Sequence, residues 1–124
     1  NDYKKAIEWI KKHGIEKAAK KSDRETSQGL IEAYIHNGGK VGAMVEITCE
    51  TDFVARTDDF KNLAHEVAMQ VAAMNPKDVP ALLKQEYIRD ASIKIEDLVK
   101  QAIAKLGENI VVRRLTRYEL DAND

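Results

Sequence analysis

Few groups in this chain could do chemistry. They are one thiol, Cys49; three imidazoles, His13, His36 and His65; and a pair of adjacent carboxylates, Asp58 and Asp59. A cysteine nucleophile needs a base and an electropositive, partly exposed setting. No supporting context for a Cys49–histidine pair is visible, and Cys49 falls on the apolar side of an alternating run. That predicts a buried, inert thiol. The histidines are far apart in sequence and Cys49 is alone, so no metal-ligand spacing emerges. Asp58 and Asp59 open a helical pattern, where capping and the helix dipole account for them. The sequence contains no G-x-x-x-x-G-K-[ST], G-x-G-x-x-G, C-x-x-C or H-E-x-x-H. These residues predict no enzyme active site, no metal and no cofactor.

The segment Glu50-Thr51-Asp52-Phe53-Val54-Ala55-Arg56 is of another kind. It joins a strand pattern to a helix pattern, where small polar residues are expected. Phe53 and Val54 are apolar, on a connector expected at the surface. Two readings stand. Either Phe53 tucks back over the sheet edge, or it is an aromatic anchor offered to a partner, the type of side chain that dominates interface energies. Asp52 beside it either caps the next turn or delivers a carboxylate to that partner.

The elements that must position this segment read clearly on either side of it. Leu30–Ile35 and Val41–Cys49 have strand character, and Asn37-Gly38-Gly39-Lys40 between them predicts a hairpin turn, because glycines accept positive φ. Val41, Ala43, Val45, Ile47 and Cys49 form one apolar face. Phe60, Leu63, Ala64, Val67, Ala68, Val71 and Ala72 recur at helical spacing from Asp58 until Asn75-Pro76 ends the run. Pro80 is read as a breaker. Leu82–Ile88 carries no clear signal, and Ile93–Ile95 is extended. A second helix runs from about Ile95 to Gly107. A last strand, Ile110–Leu120, places Ile110, Val112, Tyr118 and Leu120 on one face and Arg113, Leu115, Arg117 and Glu119 on the other, unless a bulge shifts the register. Ahead of all this, Asn1–His13 reads as a short amphipathic helix ending at Gly14, and Ile15–Arg24 as a basic connector. The expected fold is α+β: a small antiparallel sheet of about three strands with helices on one face, preceded by a helix from a separate N-terminal unit.

Composition agrees with a folded, water-facing domain. The chain has 124 residues, 44% hydrophobic and 33% charged, with a formal net charge of −1. A chain of this length hides roughly two-thirds of its unfolded surface. No apolar run approaches the roughly 20 residues of a membrane span. Residues 1–24 carry eight Lys or Arg against four Asp or Glu, and residues 25–124 carry twelve against seventeen, which sets the boundary between the two expected units. A nucleic-acid or ribosome module would use Lys4, Lys5, Lys11, Lys12, Lys17, Lys20 and Lys21. Those charges spread around the helix with few aromatics among them, so neither nucleic acid nor membrane is an expected partner. The start at Asn1, without methionine and already helical in pattern, predicts a fragment or processed product.

The run Glu46-Ile47-Thr48-Cys49-Glu50-Thr51-Asp52-Phe53-Val54-Ala55-Arg56 closely resembles the signature of the elongation factor Ts family, the nucleotide-exchange factors of elongation factor Tu in bacteria and organelles. Lys4–Ile10 with Gly14 and Lys17–Lys21 resembles the last helix and linker of the family's N-terminal domain. Ala68–Pro76 resembles its core helix, and Gly107–Arg114 its closing segment. Thr48 stands where the signature usually has Asn. By that resemblance most of the family's N-terminal domain is expected to be missing before Asn1. The helical excursion that commonly follows the core helix is expected to be missing too, either in a minimal member or by removal, because Pro80 runs almost at once into Leu82-Leu83-Lys84-Gln85.

The resemblance implies an exchange factor without covalent chemistry. Residues 1–24 would be the end of the N-terminal domain with its linker, and residues 25–124 the core. Phe53 would be a wedge entering the GTPase near its Mg²⁺ and phosphate site, Asp52 a flanking carboxylate, and Thr51 and Val54 the residues shaping the loop. Gln70 stands where many members have His, on a second surface near the core helix. A single core copy implies a homodimer. The implied compartment is the bacterial cytoplasm, or the matrix or stroma of an organelle.

Overall fold

A computed structural model describes Lys5 and residues 20–121. The helix expected over Asn1–His13, and most of the connector behind it, lie outside the described residues. The elements within them run β1 (Gln28–His36), β2 (Val41–Cys49), α1 (Asp52–Ala55), α2 (Asp58–Met74), α3 (Val79–Lys84), β3 (Glu86–Tyr87), β4 (Asp90–Lys94), α4 (Ile95–Leu106) and β5 (Ile110–Glu119). The fold is α+β, with a three-stranded antiparallel sheet in the order β1-β2-β5 and a separate β3–β4 hairpin.

The β1–β2 connection depends on its two glycines. Asn37–Gly39 forms a 3₁₀ turn, with Gly38 at φ 67° and Gly39 at φ 88°, a region where a Cβ is strained. β2 lies in the middle of the sheet, and its alternation is as the sequence predicts. Val41, Ala43, Val45, Ile47 and Cys49 are buried, and the residues between them are not. α2 lies across the inner face of β1 and β2, and α4 packs beside it. Phe60, Ala64, Val67, Ala68 and Val71 of α2 are completely buried against Ile47, Leu82 and Ile95, and this is the core. α2 starts where Thr57 Oγ1 accepts the Phe60 N–H (3.2 Å) and ends at Asn75 in the left-handed region (φ 50°).

Two expectations are corrected. Pro80 does not break a segment but opens one. It stands in the first turn of α3, where its missing N–H would have had no helical partner, and Asp78 Oδ1 caps the turn by accepting the Ala81 N–H (2.8 Å). The second correction is the register of β5. Glu46 faces Arg114 while Ile47 faces Val112, so Arg113 is an extra residue in a bulge. A one-residue insertion sends every later side chain to the opposite face. Ile110 and Val112 therefore share the core face with Leu115 and Arg117, while Tyr118 and Leu120 point away and are exposed. Arg117 is compatible with that face because its Nε donates to the Ala72 carbonyl near the end of α2 (3.0 Å). The outward face of the sheet carries Ile31, Ile35, Met44, Tyr118 and Leu120, all exposed.

Candidate partner-docking site

Cys49 and Ile110 face each other at one end of the sheet, so the residues that follow β2 lie against those that precede β5. Thr51 leaves the strand in an extended conformation and caps α1, a single helical turn, by accepting the Val54 N–H at 3.2 Å. Within that turn Val54 and Ala55 point inward and are buried, while Phe53 points outward and is 85% exposed. Phe53 thus does not tuck back over the sheet edge. Asp52 pairs with Arg56 one turn on (2.7 Å), at the surface, where such a pair contributes little to stability.

Polar groups from the other side of the sheet end hold the turn. Glu108 Oε1 accepts the backbone N–H groups of Glu50 (3.1 Å) and Thr51 (3.0 Å), and Glu108 Oε2 accepts the Thr51 hydroxyl (2.7 Å). In return Glu50 Oε2 accepts the Asn109 N–H (2.6 Å). Asn109 is buried, and its Nδ2 donates to the carbonyls of Arg24 (2.8 Å) and Ser22 (3.4 Å). The chain entering the domain is therefore tied to the same place. Cys49 is fully buried beneath, donating to the Thr51 carbonyl (3.2 Å). Burial, reinforced by the nearby Glu108 carboxylate, pushes its thiol up to about 11, so it is a neutral packing group, as its place in the strand pattern predicts.

Gln70 lies elsewhere. It is fully buried on α2, and its amide braces the β3–β4 hairpin. Nε2 donates to the Glu86 carbonyl (3.0 Å) and to Gln85 Oε1 (3.2 Å), and Oε1 accepts the Ile88 N–H (3.0 Å). Beside it, Tyr87 donates its hydroxyl to Glu66, which also pairs with Arg89. Burial and that bond push the Tyr87 hydroxyl up to about 12. Ile88, next along the hairpin, is exposed. Gln70 can therefore touch a partner only if the hairpin lifts away.

Thr51, Asp52, Phe53 and Val54 come together on one turn, and Gln70, expected on a second surface near the core helix, lies apart from them and is buried. Sequence reading missed Glu108, Glu50 and Asn109 as the groups that hold that turn. The available signal was the pairing of β2 with β5: once Cys49 faces Ile110, residues 50–51 must oppose 108–109, and a carboxylate there meets unpaired strand-end amides. Among the described residues no group of three or more His, Cys, Asp or Glu could hold a metal ion, and no helix is long and apolar enough to cross a membrane.

Fold and site define a small α+β module that holds one aromatic ring outside itself on a fastened turn. The family model of elongation factor Ts matches residues 50–124. The chain is 43% identical over 167 aligned positions to elongation factor Ts of Herpetosiphon aurantiacus, covering 98% of this chain and 84% of that protein. It is 41% identical over 163 positions to elongation factor Ts of a Thermoanaerobacter species, covering 95% and 80%. Those alignments exceed this chain's length, so both relatives carry residues with no counterpart here. Against elongation factor Ts of a Nostoc species the identity is 49% over 119 positions, covering 96% of this chain and 37% of that protein, and the two run nearly without gaps. The chain belongs to the elongation factor Ts family.

Proposed function

We propose that the chain promotes release of GDP from elongation factor Tu, without covalent chemistry, by inserting the Thr51-Asp52-Phe53-Val54 turn near the GTPase's Mg²⁺ and phosphate site. The observation that carries this reading is Phe53, an aromatic side chain held 85% exposed on a turn whose neighbours are anchored. Family membership supplies the partner. A ring that enters between two elements of the nucleotide-free GTPase stabilises that form relative to the GDP-bound one, and by reciprocity GDP weakens the complex. Burying a Phe side chain contributes roughly 1.5–3 kcal/mol, and each 1.4 kcal/mol or so is a factor of ten in release. One side chain therefore suffices for a ten- to hundredfold effect. Gln70 contributes through the hairpin it braces rather than by direct contact. The setting is translation elongation in a bacterial cytoplasm or an organelle matrix or stroma.

The test is release of fluorescent GDP from elongation factor Tu with and without the chain. Acceleration that depends on chain concentration is expected. No acceleration by a folded chain removes the reading.

The exposed apolar face formed by Ile31, Ile35, Met44, Tyr118 and Leu120 favours a second contact, a two-fold homodimer in which two such faces cover each other. Tyr118→Glu places a charge in that face and should halve the sedimenting mass. A wild-type chain that sediments as a monomer at micromolar concentration contradicts the dimer.

A further inference from the structure

We infer that Glu108 is a positioning residue for nucleotide exchange: its carboxylate fastens the turn that presents Phe53. This rests on the reading of Phe53 as the inserted group. α1 is four residues long, far below the length at which a helix holds itself together in water. Its largest side chain faces solvent, and only Val54 and Ala55 anchor it by burial. The remaining restraint is polar. Cys49 donates to the Thr51 carbonyl, Thr57 Oγ1 donates to the Val54 carbonyl, and Arg56 pairs with Asp52. Three bonds, however, meet on Glu108, which accepts the N–H groups of Glu50 and Thr51 on one oxygen and the Thr51 hydroxyl on the other. Thr51 Oγ1 in turn accepts the Val54 N–H, so a continuous chain of hydrogen bonds runs from the carboxylate to the residue after Phe53. An accept-only group suits this place, because all three bonds offer it hydrogens. Holding the turn in its docking conformation before the encounter removes an ordering cost that binding would otherwise carry. Glu108 needs no contact with the GTPase to act in this way.

The experiment uses the full chain and measures release of fluorescent GDP from elongation factor Tu by stopped flow, with Glu108→Ala, Glu108→Gln, Phe53→Ala and the double variant Glu108→Ala/Phe53→Ala. Hydrogen exchange of the amides of residues 50–54 is followed beside that of β2 and β5. Glu108→Ala should lower kcat/KM about tenfold and speed amide exchange at residues 50–54 while β2 and β5 stay protected. Glu108→Gln keeps one carbonyl acceptor and should lose only about threefold. The double variant should be no slower than Phe53→Ala, because Glu108 acts through that side chain. Wild-type exchange by Glu108→Ala alongside a slow Phe53→Ala overturns the inference and leaves Phe53 in place. Additive losses in the double variant overturn it too. A Phe53→Ala variant as fast as wild type removes the reading of Phe53, and this inference with it. If Glu108→Ala unfolds, Glu108→Gln decides: a folded variant with wild-type amide exchange at residues 50–54 and wild-type rates overturns the inference.

Discussion

Two regions of the molecule reverse the usual placement of side chains, and they do so in opposite directions. At the Thr51–Ala55 turn an aromatic ring that a core would take is left in solvent, fastened by carboxylates and a hydroxyl. On α2, Gln70, a residue that a surface would take, is sealed inside with its amide hydrogen-bonded to the β3–β4 hairpin. An exposed apolar side chain adds nothing to the stability of the free chain, so its energy is available to a partner. A buried amide stabilises only while its bonds are made, and is expensive to leave unmade. Position along the sequence does not separate the two regions; the direction in which each residue faces does.

The widest gap between the regions should appear with Phe53→Ala. It is expected to slow catalysed GDP release ten- to hundredfold, from roughly 1.5–3 kcal/mol of lost burial, and to move stability by no more than about 0.5 kcal/mol, as surface substitutions do. Urea titration beside stopped-flow release checks both halves. Gln70→Leu should do the reverse. It leaves the Ile88 N–H and the Glu86 carbonyl without their partner and should lower stability by about 1–3 kcal/mol. Its release rate per folded molecule should fall much less than that of Phe53→Ala. A Gln70→Leu chain of full stability and slow exchange would break the comparison, because the hairpin would then be a contact in its own right. The smallest effect sits beneath the turn. The Cys49 thiol titrates at about 11 in the folded chain against an ordinary 9.0, so the folded state keeps a proton that the unfolded state gives up. The stability from that difference is complete below pH 9 and is lost as the pH rises toward 11. Urea midpoints taken from pH 8 to 10 should fall more steeply for wild type than for Cys49→Ala; parallel curves would place the cause elsewhere.

Much of this was legible in the sequence, and the reasons are local. The alternation from Val41 to Cys49 and the helical spacing from Phe60 to Ala72 each state a period and a face, and both faces are buried. The two turn glycines and the cap at Gly107 are equally local signals. What escaped was set by pairing. The bulge at Arg113 is visible only against Glu46 and Ile47 of the neighbouring strand, and it decides whether Tyr118 lies in the core or in solvent. The β3–β4 hairpin is too short to show a period, and its brace, Gln70, comes from a helix 15 or more residues away. At the site, the oddity of an apolar pair in a connector singled out Phe53, but Glu108 stands 57 residues from Thr51 and carries no local mark of its task.

The proposed entry of Phe53 into the GTPase, in opposition to GDP, is tested most directly by placing a photoreactive benzophenone analogue of phenylalanine at position 53 and irradiating the chain with elongation factor Tu. A crosslink should form with the nucleotide-free GTPase and fade as GDP is titrated in, with the same dependence as GDP binding itself. No crosslink from a folded chain that still binds the GTPase, or a crosslink indifferent to GDP, would contradict the account.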